Sequence, residues 1–269
     1  MLQSVVLADV CRDDLKLILT SDDTAESSCE LSSIDFSLCH PRFTQTEVYA
    51  TCSYMNGPPP REAFTKPEWK LIQRLRTPAR VQRWLTLMPY NWERQGETMI
   101  SFREVVKRNE AHCLEAAVAA AVILEQHGYP PLLLDIESVD LLDHVIFVFQ
   151  KDGLWGSIAR SRDTGLHGRK PVFRNLRQLV WSYFEPYIDM TGRIKGYGLT
   201  SLYDLGNYNW RFSAKNMHKI EDHLRAIPHQ KLASSDQRYE YWHERYKKYK
   251  KRFPNRSPVY YPNRDQWMR

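Results

Sequence analysis

The sequence lacks an uninterrupted apolar run of about 18 residues, the length that a membrane-spanning helix needs. Its first residues also lack the basic start and apolar stretch of a secretory signal. We therefore expect a cytoplasmic protein with no membrane partner. Hydrophobic residues make up 42% and aromatic residues 12% of the 269 residues, which excludes a wholly disordered chain and a collagen-like chain.

Cysteine is scarce, and its distribution is typical of a reduced protein. Five cysteines occur, an odd number, and none forms a C-x-x-C pair. Without a secretion signal, this pattern predicts free thiols in a reducing compartment. Four of the five lie within the first 52 residues, and Cys113 is alone in the rest of the chain.

Motifs for metals and nucleotides are also missing. The later histidines are scattered over basic segments without a cysteine pair beside them, which argues against a zinc site. No glycine-rich loop follows a predicted strand and opens a predicted helix. Gly192, Gly196 and Gly198 are interpreted as loop glycines. We therefore expect no metal and no cofactor.

Charge and patterning divide the chain into three predicted parts. Residues 1–60 hold 9 acidic and 3 basic residues, show weak hydrophobic periodicity, and end in a turn and a polyproline run. Residues 61–212 are regularly patterned and are predicted to form the core. Residues 213–269 are predicted to form a basic, aromatic-rich helical extension.

The core is predicted to be α+β, with helices packed on an antiparallel sheet. Its most informative helix runs from about Glu110 to His127, and small residues on one face let another layer approach closely. Three strands follow, at residues 131–136, 144–149 and 154–161. The other predicted helices span about 66–76, 77–88, 174–187, 214–227 and 236–253.

The last two strands are predicted to form a hairpin around Asp152-Gly153. A two-residue turn makes paired residue numbers sum to 305, so His144 would lie opposite Ser161. Asp163 would then be the diagonal neighbour of His144, at about 7–8 Å between Cα atoms, a gap that side chains can bridge.

Cys113 is the candidate nucleophile because it stands in the first turn of the long helix. Unpaired amides and the helix dipole favour an anion there, and such a position lowers a thiol pKa from about 8.5 to roughly 3.5–7.5. The alternative is a small buried cysteine with no chemistry. A thiol on a helix, then histidine and an acid on a hairpin, is the order of a thiol triad.

These residues resemble the transglutaminase-like superfamily of papain-like thiol enzymes. The similarity covers about Phe64 to Phe212 and extends to uncharacterised bacterial transglutaminase-like proteins. Its most specific segments are Ala111-His112-Cys113-Leu114-Glu115-Ala116, Asp143-His144-Val145 and Gly153-Leu154-Trp155-Gly156.

The resemblance implies a nucleophile at Cys113 and a general base at His144. The superfamily places its acid near Ile158 or Ala159, where this sequence has none, and Asp163 is the predicted substitute. His112 is interpreted as structural or as a contributor of local charge, because helix neighbours do not face each other. The Cys113 amide would help to form an oxyanion hole, with Asn91, Trp92 or Asn109 as the second donor.

Three functions remain open from the sequence. The first is a cysteine-dependent acyl-transfer enzyme acting on a peptide, amide or ester. The second is a non-catalytic transglutaminase-like scaffold, which the missing acid favours. The third is a binder of nucleic acid or an acidic partner through the basic C-terminal helix, although a solvated helix explains those charges as well.

Overall fold

The computed structural model describes residues 57–94, 96–258, 261 and 264–268, together with the backbone of two short strands near the N-terminus. The chain divides into two compact units, Met1–Met55 and Asn56–Arg269. In the first unit, β1 (Val10–Cys11) and β2 (Asp14–Leu15) pair antiparallel. Side chains in residues 1–56, including four cysteines, lie outside the described residues.

The second unit is α+β, as predicted. Its α-helices are α1 (Lys66–Arg74), α2 (Pro78–Leu87), α3 (Phe102–Arg108), α4 (Cys113–Glu125), α5 (Leu176–Tyr187), α6 (His218–Ala226), α7 (Asp236–Arg252) and α8 (Arg264–Trp267). Its strands are β3 (Leu132–Ser138), β4 (His144–Lys151), β5 (Leu154–Ile158), β6 (Ile194–Ser201) and β7 (Gln230–Lys231). The strands form one antiparallel sheet in the order β5-β4-β3-β6-β7.

Local sequence signals set several helix starts. Thr65 and Glu68 exchange side-chain and backbone hydrogen bonds at the start of α1, a reciprocal cap that satisfies two otherwise free amides. Ser235 accepts from the Arg238 amide at the start of α7, as its position predicts. A cap of this kind contributes about 1 kcal/mol to stability.

Helix α4 is the centre of the core. All its residues from Leu114 to Glu125 are buried, so the helix is covered on every side and not on one small-residue face. The alanines let neighbouring elements approach the backbone closely, and Val145, Phe147 and Phe149 of β4 belong to the same hydrophobic core. The N-terminus of α4 is thereby held in a rigid setting.

The predicted hairpin register is confirmed, but the hairpin is shorter than expected. Pairs such as Phe147 with Ile158 and Lys151 with Leu154 have numbers that sum to 305. Strand β5 ends at Ile158, however, and His144 pairs with Ile136 on β3. The register therefore does not carry on to residues 161–163, because the chain leaves the sheet first.

Strands β6 and β7 were missed, and two of the glycines interpreted as loop residues lie in β6. At these glycines the backbone of β6 lies close to residues 227–230. A Cβ atom added at Gly198 would lie 2.8 Å from Ile227 Cδ1 and 3.0 Å from His229 Nε2, so a larger residue has no room.

The C-terminal residues differ from the prediction in two places. Helix α6 begins at His218 and not at residue 214, and the final residues include the short helix α8 in place of an extended segment. Residues 213–269 also contribute Met217, Ile220 and Leu224 to the main core. Across the part of the chain that the structure describes, no helix is both long and apolar enough to cross a membrane.

Candidate active site

Cys113 is the first residue of α4, which begins three residues after the predicted start at Glu110, and it lines a cleft of about 320 Å³. It is a half-buried free thiol. Within the described residues its backbone amide has no acceptor, which is expected at the first turn of a helix. Both the amide and the helix dipole favour a negative charge at this point.

His112 contacts Cys113, contrary to the prediction that the two side chains face apart. The residue is not helical but caps α4 in an extended conformation, with φ of −90° and ψ of −170°. The helix geometry behind the prediction therefore does not apply. His112 Nδ1 lies 4.0 Å from Cys113 Sγ, and Nε2 lies 3.0 Å from the Thr98 carbonyl oxygen.

Cys113 and a buried carboxylate together keep His112 charged. Glu115 is fully buried, and its Oε1 lies 3.3 Å from His112 Nε2. Burial alone lowers the pKa of His112, but the hydrogen bond and charge of Cys113, the charge of Glu115 and the Thr98 carbonyl raise it to about 9. His112 is thus an imidazolium at neutral pH.

Glu115 is itself held by several donors. It accepts from the His112 amide at 2.9 Å, which is the capping-box spacing of three residues. Its other donors are Asn91 Nδ2, Thr98 Oγ1 and the Ile100 amide, each within 3.3 Å. A buried carboxylate needs such partners, because one left unpaired costs several kcal/mol.

His144 is the second histidine at the thiol. It begins β4, is buried, and its Nε2 lies 2.9 Å from the Leu166 carbonyl oxygen. Burial raises the pKa of the Cys113 thiol, but hydrogen bonds from His112 and His144, with their charges, hold that pKa well below its ordinary value. The arrangement favours a thiolate at Cys113.

Asp163 does not reach His144 in this structure. It stands at the start of a short 3-10 turn (Thr164–Leu166), where its Oδ1 accepts from the Gly165 amide at 2.9 Å. Burial raises its pKa, and the hydrogen bond from Gly165 opposes that rise. His144 is instead hydrogen-bonded to the carbonyl of Leu166, which lies in the same loop.

A buried arginine holds this loop in place. Arg169 is fully buried and donates to the carbonyls of Gly165 at 2.8 Å and His167 at 2.5 Å. These two carbonyls flank Leu166. Arg169 also donates to Ser182, and its guanidinium lies 3.7 Å from the ring centre of Tyr183. The position of the Leu166 carbonyl is therefore fixed from both sides.

The three side chains predicted as oxyanion donors differ in whether they can donate into the cleft. The Asn91 amide is already bound to Glu115 and Thr98, so it has no spare donor for an oxyanion. Asn109 ends α3 in the left-handed conformation, with φ of 54°, and does not line the cleft. Trp92 lines the cleft and is 56% exposed. The Cys113 amide and Trp92 are the available candidates.

One of the contacts that were missed has a partial signal in the sequence. Glu115 three residues after His112 is a capping-box spacing, and it could have identified His112 as a cap outside the helix. The Leu166 carbonyl left no signal, since any residue supplies one. Arg169 could not be distinguished from a surface arginine, because its burial depends on the whole fold.

Comparison with known proteins adds no family to this geometry. No profile of a known protein family matches the chain, and none of the curated proteins gives a significant match. The candidate site is therefore defined by its residues and distances.

Proposed function

We propose that this protein is a cysteine-dependent acyl-transfer enzyme of the transglutaminase-like, papain-like type, acting on an amide or ester. The observation that supports this most strongly is the Cys113 thiol, placed at a helix N-terminus in a cleft, with two histidines lowering its pKa. A structural cysteine needs neither histidine. A thiolate is the reactive form of cysteine, so the arrangement suits a nucleophile.

In the proposed reaction, Cys113 Sγ attacks the substrate's carbonyl carbon and an S–C bond forms. His144 then gives a proton to the leaving nitrogen or oxygen as its bond to carbon breaks, which leaves a thioester. Water or an amine attacks the thioester and passes a proton to His144, and the S–C bond breaks to restore the thiolate. The Cys113 amide stabilises the oxyanion.

The Leu166 carbonyl takes the place of the acid in this proposal. A carbonyl only accepts, so His144 carries its proton on Nε2 and presents Nδ1 to the thiol. His112 supplies a second positive charge beside Cys113. A cysteine–histidine pair whose histidine is bound to a carboxylate would not need that charge. The missing acid therefore no longer favours the non-catalytic scaffold over the enzyme.

Acylation of Cys113 tests the proposal. The protein is mixed with p-nitrophenyl acetate, and the acyl group is located by peptide mass spectrometry. We expect rapid acylation at Cys113, slowed at least tenfold by His144→Ala, followed by release of the acyl group to water. Cys52→Ser is the matched control and should behave as wild type. Acylation of Cys113 no faster than that of the other cysteines would contradict the proposal.

A further inference from the structure

The walls of the cleft differ in chemistry. Asp140, Asp143 and Asp189 line one side, near the start of β4 and the loop before β6. Tyr90, Trp92 and one further acidic residue, Glu93, line the other side. Arg162 is the cleft's one arginine or lysine among the described residues, and its guanidinium lies 5.9 Å from the Trp92 ring centre, on the aromatic side.

The acidic wall is rigid. Asp140 accepts from Ser138 Oγ at 2.6 Å and from Thr191 Oγ1 at 2.8 Å, which ties the two acidic loops together. Burial raises the pKa of Asp140, but these hydrogen bonds outweigh it and lower that pKa below its ordinary value. The carboxylate is therefore ionised at neutral pH, and it is held in place before any ligand arrives.

The wall also has unused acceptors. Asp143 uses Oδ1 to accept from the Ser138 amide, and Asp189 uses Oδ1 to accept from two loop amides. In the described part of the chain, the Oδ2 atom of each has no hydrogen-bond partner. None of the three aspartates forms an ion pair with a described lysine or arginine, and nearby Lys195 is paired with Glu137 at 2.9 Å.

The three aspartates and Cys113 line the same cleft. Negative charge raises the pKa of a thiol that it approaches. A cation placed against the wall screens that charge and uses the free Oδ2 atoms. The cavity, at about 320 Å³, is at the small end of ligand pockets, so it suits one side chain beside the reacting carbonyl.

We propose that the cleft selects an acyl donor with a cationic group, an ammonium or guanidinium, beside its reacting carbonyl. This rests on the proposed function. Asp143 and Asp189 bind the cation, and the exposed Trp92 and Leu142 cover the apolar part of the same substrate. The acidic wall also raises the local concentration of cations, an effect that added salt screens.

Two methanethiosulfonates of similar size and opposite charge test this without a substrate. The cationic probe carries a trimethylammonium group and the anionic probe a sulfonate. Their rates at Cys113 are measured by peptide mass spectrometry and divided by their rates with free cysteine. We expect a preference for the cationic probe of about tenfold at low salt, which falls as salt is added.

Variants that remove the charge of particular aspartates show which of them cause the preference for the cationic probe. The double variant Asp143→Asn, Asp189→Asn should lose most of the preference. Asp152→Asn removes the same kind of charge in the turn at the far end of β4 and should retain it. No cationic preference in wild type, or an equal loss in Asp152→Asn, would overturn the proposal.

Acyl donors then test the substrate class. Peptide thioesters ending in lysine, norleucine or glutamate are compared, and we expect kcat/KM to fall in that order. Equal turnover of all three would overturn the charge selection and leave the enzyme proposal intact. No turnover, with labelling of Cys113 that is slow and independent of His144, would overturn the proposed function itself.

Discussion

The Nε2 atom of His144 lies 2.9 Å from the carbonyl oxygen of Leu166. A carboxylate at that position would stabilise the imidazolium with a full charge, whereas a carbonyl does so with a dipole. The lowered pKa of the Cys113 thiol consequently depends on the His112 imidazolium as well. The two histidines and the carbonyl together replace the histidine and acid that the sequence predicts.

The variant Asp163→Asn tests whether His144 depends on the Leu166 carbonyl or on the predicted acid, Asp163. Asparagine retains the oxygen that accepts from the Gly165 amide, so the turn should survive. We expect the acylation rate of Cys113 to stay within about twofold of wild type. Loss of activity by a factor of roughly 10⁴, as expected when a triad carboxylate becomes an amide, would show that Asp163 acts on His144 after all. Initial rates with p-nitrophenyl acetate measure the difference.

His112→Ala should raise the pKa of the Cys113 thiol, because it removes a hydrogen bond and a positive charge. The labelling rate with iodoacetamide should therefore fall at neutral pH. His112 loses its own proton near its pKa of about 9, so the wild-type and variant rates should converge above that pH. The measurement is the labelling rate at Cys113 from pH 5 to 10.

The control for this variant is His218→Ala, which removes an exposed histidine at the start of α6. Its labelling profile should match that of wild type. If His112→Ala also labels Cys113 with the wild-type profile, His112 is only a helix cap and the charge argument is wrong.

Arg169→Lys should shift the loop that carries Leu166 and so weaken the hydrogen bond between His144 and the Leu166 carbonyl. A lysine has no planar fork and cannot donate to the carbonyls of Gly165 and His167 as the guanidinium does. We expect a loss of stability of about 3 kcal/mol and a rise in the pH midpoint of Cys113 labelling. Urea unfolding and the labelling profile measure the two effects.

Arg174→Lys is the matched control, since Arg174 is exposed at the surface. It should change neither quantity. An Arg169→Lys protein that loses stability but keeps the wild-type labelling profile would show a purely structural arginine, with no part in positioning His144.

The fold could be predicted where local signals decide the structure. The Thr65 cap, the hairpin turn at Asp152 and the register of β4 with β5 depend on residues close in sequence, and all three were predicted. Strand β6 was missed because its glycines serve a close contact with residues 227–229, which are distant in sequence.

The site was predictable to a similar degree. Cys113 could be placed from its position at the start of a helix, and His144 from its position at the start of a strand. The His112 contact depends on a cap conformation that moves the helix start from about Glu110 to Cys113. The Leu166 carbonyl depends on where β5 ends, which the alternation of residues in the strand does not determine.

The central claim is that histidines activate Cys113, and the pH dependence of iodoacetamide labelling tests it most directly. Labelling at Cys113 is followed by peptide mass spectrometry in wild type and in His144→Ala. We predict fast labelling with a midpoint well below the ordinary thiol value of about 8.5, and a slower rate with a higher midpoint in the variant. A midpoint near 8.5 that His144→Ala does not change would contradict the claim.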